Sequence, residues 1–351
     1  MNKLEHQLDY PLADTLPLLG SALEVAPTIK WLRMPLPFAL DHINLWLIQD
    51  VYESLTGWAI VDCGIANDAT KTLWEKIFAQ ELNGHPITRV ICTHMHPDHV
   101  GLAHWLCDKW QVPLFMSMTD YSMSRLLSQE TSHAAGAAAA AHFARHGLEQ
   151  EEHTEKIRLR AGYYSSLVPA VPASFQRLQD NQQLLIGAYK WRCIAGYGHA
   201  PEHMALYCPE LNILISGDMV LPRISTNVSV WDMEPEANPL AQFLDSLTRY
   251  EILPADTLVL PSHGKPFKGL HTRIAQLREH HRDRLAEVLQ ACSSAKTAAE
   301  IVPVLFKRPL DAHQMSFAMG EALAHLHYLW RRGQLTRLKT DKEVIRFVAV
   351  D

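Results

Sequence analysis

Residues Thr93-His94-Met95-His96-Pro97-Asp98-His99 place three imidazoles and one carboxylate in six consecutive positions, between an apolar strand-like run and a helix-like one. Imidazole and carboxylate together suit zinc, iron or manganese, and the lack of a thiolate in the cluster argues against a closed structural zinc of the cysteine type. Side chains alternate faces along an extended segment, so His94 and His96 point the same way and grip one ion. Pro97 cannot continue a ladder and turns the chain, presenting Asp98 and His99 to a neighbouring position at the start of a helix over 100–106. Two adjacent ion sites follow. The competing structural reading is a solvated polar turn.

Two ions need more ligands than one cluster holds, and later strand-like runs deliver them. The run over 191–199 ends in Gly198-His199 and is followed by Pro201-Glu202-His203. The run over 211–218 ends in Gly217-Asp218, and that over 257–264 ends in His263-Gly264. Upstream, Ala59-Ile60-Val61-Asp62-Cys63-Gly64 is a further strand closed by a carboxylate.

The order His-x-His-x-Asp-His, Gly-His, Gly-Asp, His-Gly resembles the metallo-β-lactamase superfamily over about residues 30 to 290. The resemblance implies an α/β fold, a four-layer αββα sandwich with a dinuclear site at one edge of the two sheets. Carried over by position, His94, His96 and His199 hold the first ion, Asp98, His99 and His263 the second, and Asp218 bridges them. Asp62 orients the ligand loop by hydrogen bonds. In the family's Gly-His-x-x-Gly-His-like segment the first His is the usual ligand, so His203 takes a supporting or structural place. Glu202 stands where the family often has Gly, a departure that bears on the pocket rim.

Such a site implies hydrolysis. Two divalent ions lower the pKa of a shared water, so that a bridging hydroxide attacks without Ser or Cys while one ion polarises the scissile carbonyl or phosphoryl oxygen. Asp98 handles the proton for the leaving group. The ligand set is similar to that of glyoxalase II-type hydrolases, which points to a thioester or other activated ester of acyl-CoA or hydroxyacyl type. Their glutathione-binding C-terminal helical domain is replaced here, so glutathione itself is not implied. The alternatives are a metal-dependent endoribonuclease or phosphodiesterase, and a lactonase with Tyr197 as acid or oxyanion donor. A non-enzyme alternative is a winged-helix regulator that senses a metal or ligand.

The loop over 219–231 leaves directly from Asp218. Arg223 would neutralise an anionic substrate, Asn227 would donate a hydrogen bond and Trp231 would form an apolar wall, each set against plain loop packing. His42, in the turn Asp41-His42-Ile43-Asn44, is a further substrate-binding candidate. The catalytic candidates are Asp98, Asp62 and Tyr197.

The elements that must position these residues read as strands over 32–37, 42–48 and 58–61 and a helix over 70–82, after a lead-in of 27 residues to which no chemistry is assigned. About a hundred residues separate His99 from His199. We read 118–190 as a helical insertion, with an Ala-rich helix in 118–148 and a second helix over 150–167, placed to act as a lid. Its His133, His142, His146 and His153 invite a third-ion reading, since His142 and His146 lie one turn apart, but a solvated polar helix face is preferred.

A connecting helix over 269–289 closes a catalytic domain of 1–290. Helices over 297–306 and 311–332, then strands over 334–338 and 343–350, resemble a small winged-helix module in 291–351. From 296 to 351 there are nine Lys or Arg against six Asp or Glu, too small an excess to argue nucleic-acid binding, so a structural cap or homodimer contact is preferred.

With 351 residues, 48% of them hydrophobic, the chain can bury a large core. The six cysteines are scattered and read as free thiols. No signal pattern opens the chain and no apolar run reaches membrane-spanning length. The net charge of −6 gives no general attraction to nucleic acid. A cytoplasmic enzyme with two divalent ions, zinc first, and a small-molecule substrate is expected.

Overall fold

A computed structural model describes residues 2–130, 133–159, 162–339 and 343–350. The chain forms two compact units, one of residues 1–129, 164–226 and 247–274, the other of 130–163, 227–246 and 275–351.

The first unit holds two sheets. One runs β1 (Leu23–Ala26), β2 (Ile29–Pro35), β3 (His42–Tyr52), β4 (Leu55–Val61), β5 (Ile87–Ile91), β6 (Leu114–Ser117) and β7 (Gln176–Leu178) in spatial order. Its first four strands are antiparallel neighbours joined by short turns, and β4 to β7 pair parallel. Parallel pairing needs a crossover, which α1 (Asp68–Gln80) supplies between β4 and β5, and α2 (Pro97–Val100) with α3 (Ala103–Trp110) between β5 and β6. The second sheet is ordered β12 (Leu258–Pro261), β11 (Ile213–Gly217), β10 (His203–Cys208), β9 (Tyr189–Gly196), β8 (Gln183–Ile186).

Strand alternation sorts the apolar side chains into two cores. Trp31, Trp46, Ile48, Ala59 and Val61 of the first sheet meet Trp191, Cys193, Leu206 and Ile215 of the second. Leu32, Leu45, Leu47 and Ile60 point the other way, onto Trp74 and Ile77 of α1 and Leu106 of α3. A buried ion pair also joins the sheets: Arg89 donates to both oxygens of Asp50 at 2.9 and 2.6 Å and to the carbonyl of Leu185 at 2.6 Å.

Two local expectations change. Asn67 caps α1 by accepting from the Thr70 N–H at 2.7 Å, so the helix starts before Thr70. Residues 93–96 form a bend rather than an extended strand, so His94 and His96 are brought together by the turn and not by strand alternation.

α4 (Met118–Gln129) belongs to the first unit, while α5 (His133–Arg145) and α6 (Glu151–Arg158) belong to the second. The helical part of 118–190 ends with the short α7 (Tyr163–Leu167), and its last residues form β7, β8 and the start of β9. Gly136 lets α5 approach α6 closely, since a Cβ there would lie 2.1 Å from the carbonyl oxygen of Arg158. α8 (Pro239–Glu251) and α9 (Leu270–Ala291) have residues in both units.

The second unit ends in α10 (Ala298–Leu305), α11 (Ala312–Arg331) and the hairpin β13 (Leu335–Lys339) with β14 (Ile345–Ala349). Capping boxes at Thr297 with Glu300 and at Asp311 with Gln314 set the two helix starts.

Within the second unit α5 and α6 pack onto this C-terminal part, with the Ala299 N–H donating to the His146 carbonyl at 3.1 Å. His142 and His146 are 1% and 3% exposed, which overturns the solvated-face reading. Their rings lie 5.0 Å apart, and that of His146 lies parallel to Phe347. The His133 side chain lies outside the described residues. All six cysteines are free and buried. Among the described residues no helix is long and apolar enough to cross a membrane.

Candidate metal centre

The ends of β4, β5, β9, β11 and β12 converge on one site. After β5 the chain bends through Thr93–His96, and Pro97 starts α2 as its first residue, where its missing N–H costs nothing. His96 occupies the N-cap position without a side-chain cap bond, so its ring is left for the site. His199 follows β9, Asp218 follows β11 and His263 follows β12.

These side chains form two groups, His94, His96, His199 and Asp218 in one and Asp98, His99 and His263 in the other, with one ligand atom per residue lying within 4.8 Å of the rest of its group. In the first, His94 Nε2 lies 2.9 Å from His96 Nδ1 and 3.2 Å from His199 Nε2, and His199 Nε2 lies 3.3 Å from Asp218 Oδ2. In the second, Asp98 Oδ2 lies 3.4 Å from His263 Nε2 and 3.7 Å from His99 Nε2. The other oxygen of Asp218, Oδ1, faces His263 Nε2 at 3.5 Å and His99 Nε2 at 3.6 Å. Asp218 thus touches both groups.

Hydrogen bonds on the far side of His94, His99 and His263 turn the Nε2 of each ring inward. The Thr93 hydroxyl is bonded to Asp62 at 2.9 Å, which leaves its oxygen to accept from His94 Nδ1 at 3.0 Å. His99 Nδ1 donates to Asp62 Oδ2 at 2.8 Å, and His263 Nδ1 donates to the His42 carbonyl at 2.7 Å. Asp62 also accepts from the Thr93 N–H at 2.8 Å, so one carboxylate holds both the loop backbone and a ring. Asp62 does this from a left-handed backbone conformation, φ 63°, a strained state held by its surroundings.

The electrostatics ask for added positive charge. Burial and the crowding of neighbouring imidazoles hold His94 well below its ordinary range, and burial with His199 pushes His96 down to about 3. These rings are neutral, the state that ligates. Burial disfavours charge on His99 too, but Asp62, Asp98 and Asp218 outweigh it and raise the ring to about 9. His263 is raised likewise by Asp218 and Asp98. His99 Nε2 and Asp218 Oδ1 are buried without a hydrogen-bond partner. Converging imidazoles, two of them held neutral and two held charged by the carboxylates that a cation would pair instead, together with orphaned inward atoms, fit a pair of divalent cations.

A family profile described as the Metallo-beta-lactamase superfamily matches residues 40–263, and one described as Metallo-beta-lactamase-like, C-terminal domain, matches 285–350. The chain is 56% identical to a β-lactamase domain protein of Burkholderia ambifaria, whose crystal structure superposes with a TM-score of 0.94 over 99% of this chain and 100% of that one. The chain belongs to the metallo-β-lactamase superfamily. It is 29% identical to a metallo-β-lactamase family protein of Thermus thermophilus, with a TM-score of 0.77 over 93% of this chain and 100% of that one. It is also 23% identical to a Bacillus subtilis protein named as a probable metallo-hydrolase, YqjP, over 85% of this chain and 91% of the relative. The superfamily fold implies divalent metal binding.

Within this superfamily member, the remaining candidates have distinct surroundings. His42 has both ring nitrogens engaged, Nδ1 with Asp41 at 2.5 Å and Nε2 accepting from the Gly264 N–H at 2.9 Å. Arg223 pairs with Glu5 at 3.3 Å, and its carbonyl accepts from the Asn2 N–H at 2.7 Å. Tyr197 packs on the inter-sheet core with the Arg249 guanidinium 5.6 Å from its ring centre. Asn227 and Trp231 lie in the second unit, Asn227 donating to Glu321 at 3.3 Å and Trp231 packing on Phe143 and Phe317. Of these, His42 is joined directly to a metal-ligand candidate, its carbonyl accepting from His263 Nδ1.

Sequence reasoning missed Asp120, Tyr164 and Asn44. Asp120 is fully buried and accepts from the Met95 N–H at 2.8 Å and the Glu202 N–H at 2.6 Å. Burial pushes it up to about 6 against those bonds. The Tyr164 hydroxyl donates to the Met95 carbonyl, so both polar groups of the residue between His94 and His96 are held. Asn44 donates to the carbonyls of Pro261 and Gly264 on either side of His263. Asp120 was findable, since it sits just past β6 as Asp62 and Asp218 sit just past their strands. His203, expected in a supporting place, accepts from the Asp218 N–H at 3.2 Å.

Proposed function

We propose that the protein is a dinuclear metal-dependent hydrolase acting on a thioester or other activated ester. The observation that carries the reading is the divided carboxylate of Asp218, with Oδ2 on the first group and Oδ1 on the second. On this reading His94, His96 and His199 hold one ion, Asp98, His99 and His263 the other, and Asp218 is common to both, with zinc the first choice for an N and O donor set. Bound there, the two ions supply a water acidified towards neutrality and a Lewis acid for the scissile carbonyl.

The protein's own groups do the rest. Asp62 and Thr93 keep His99 and His94 in the tautomers that present Nε2. Asp98 is the more exposed of the two central carboxylates, 18% against 10% for Asp218. It is the group placed to pass a proton to the leaving group. Asp98 is held low by His99 and His263 despite its burial, so it stands as a carboxylate and must first take up the proton that it passes on.

The test is metal analysis followed by assays on acyl-CoA and glutathione thioesters, lactones, phosphodiesters and short RNAs. The expected result is about two divalent ions per chain and thioester hydrolysis lost on chelation and in His96→Ala. Thioester hydrolysis by metal-free protein, or cleavage of RNA with thioesters untouched, overturns the reading.

A further inference from the structure

Beside His263 lies a cavity of about 120 Å³ lined by Leu19, Arg33, Met34, Pro35, Asp41 and His42. Arg33 sits on β2 opposite Asn44 of β3, and cross-strand partners project to the same sheet face. The Asn44 side chain reaches Pro261 and Gly264, so Arg33 shares the face occupied by the His263 loop. The cavity and the metal centre share one wall. The His42 carbonyl accepts from His263 Nδ1 at 2.7 Å, and the two rings lie 6.1 Å apart.

Arg33 is half-buried, and among the described residues its guanidinium has no hydrogen-bond or ion-pair partner. The carboxylate that acts on it, Asp41, is already engaged with His42 Nδ1 at 2.5 Å, and its side chain is 82% exposed. His42 Nε2 accepts from the Gly264 N–H, which makes that ring a neutral wall. A half-buried guanidinium without a protein acceptor offers a fork of donors, and a planar bidentate anion is the ligand that matches it.

We propose that this cavity is an anion subsite in which Arg33 receives a carboxylate carried by the acyl part of the substrate, while the ester carbonyl lies at the metal centre. The proposal rests on the hydrolase reading and narrows its substrate to short acyl groups ending in a carboxylate.

The experiment compares succinyl and butyryl thioesters of one thiol, which differ at the carboxylate and share a leaving group. The wild-type protein is expected to favour the succinyl ester by tenfold or more in kcat/KM. Arg33→Met should remove the preference through a higher KM for the succinyl ester with the butyryl ester unchanged, and Arg33→Lys should retain part of it. No preference in the wild type, or an equal loss on both esters in Arg33→Met, overturns the subsite. Calorimetric titration with glutarate separates the two readings. Binding that depends on Arg33 in a protein that cleaves neither ester upholds the subsite and defeats the hydrolase. Cleavage of both esters with glutarate binding equally to wild type and Arg33→Met, or to neither, does the reverse.

Discussion

Asp120 Oδ2 accepts from the Glu202 N–H at 2.6 Å while its Oδ1 accepts from the Met95 N–H at 2.8 Å, so one buried carboxylate ties together the two loops that carry His94, His96 and His199. Those loops are about a hundred residues apart in the chain. Removing the carboxylate frees each loop to move separately and strands two buried N–H groups. Asp120→Ala is expected to weaken metal binding by about 10–100-fold, the usual cost of a lost supporting partner. Asp120→Asn, which keeps one acceptor oxygen, should fall between. Competition with a chelator of known affinity measures both, and wild-type affinity in Asp120→Ala would show that the loops hold themselves.

Gly217, at the end of β11, adopts φ +52°, and a Cβ there would lie 2.0 Å from His203 Nε2. That nitrogen accepts the Asp218 N–H. Gly217→Ala must therefore push His203 aside and turn Asp218 with it. A loss on the order of 1–3 kcal/mol in stability is expected from the strained backbone alone. Metal content should fall in parallel. Thermal unfolding and metal analysis check the two effects, and a variant with both unchanged would mean that the turn adjusts freely.

The buried pair Arg89 and Asp50 joins β3 and β5 to the β8–β9 hairpin, whose Gly187 N–H also donates to Asp50 at 3.0 Å. Arg89→Met leaves a buried carboxylate without its counter-charge. The expected cost is about 3–5 kcal/mol. Arg89→Met with Asp50→Asn should recover much of it, because no lone charge is then buried. Urea unfolding of the single and double variants tests this, and additive losses would contradict it.

In the second unit, burial holds His325 and His142 down to about 4 and His146 to about 3. Each folded pKa lies below the unfolded value near 6.5, so each ring contributes stability that is fully present above pH 6.5 and is lost as pH falls towards 4. One such ring adds at most about 1.4 kcal/mol per pH unit to the slope. His325→Gln cannot take the proton. Urea midpoints between pH 7 and pH 5 should fall less steeply in this variant than in the wild type, and parallel slopes would show that His325 titrates normally.

Much of the site was readable because its donors announce themselves locally. His94 to His99, His199, Asp218 and His263 each stand just past an apolar strand, and that position puts side chains at a sheet edge whatever the rest of the fold does. Helix ends were readable where capping residues mark them, as at Thr297 and Asp311. The loop 219–231 was less legible. Arg223 pairs with Glu5, a partner so far away in sequence that no local pattern reveals it.

The amino-acid order by itself determined the ligand types, the alternation that divides the apolar residues into two cores and the order of strands and helices. These are consequences of nearest-neighbour geometry and side-chain chemistry. Tertiary structure alone decided that Asp218 divides its oxygens between two groups, that Asp120 and Tyr164 clamp Met95, that His142 and His146 are buried, and that Arg33 lacks a partner. Each of these depends on which distant segments are packed together, and burial or pairing is a property of that packing rather than of the residue.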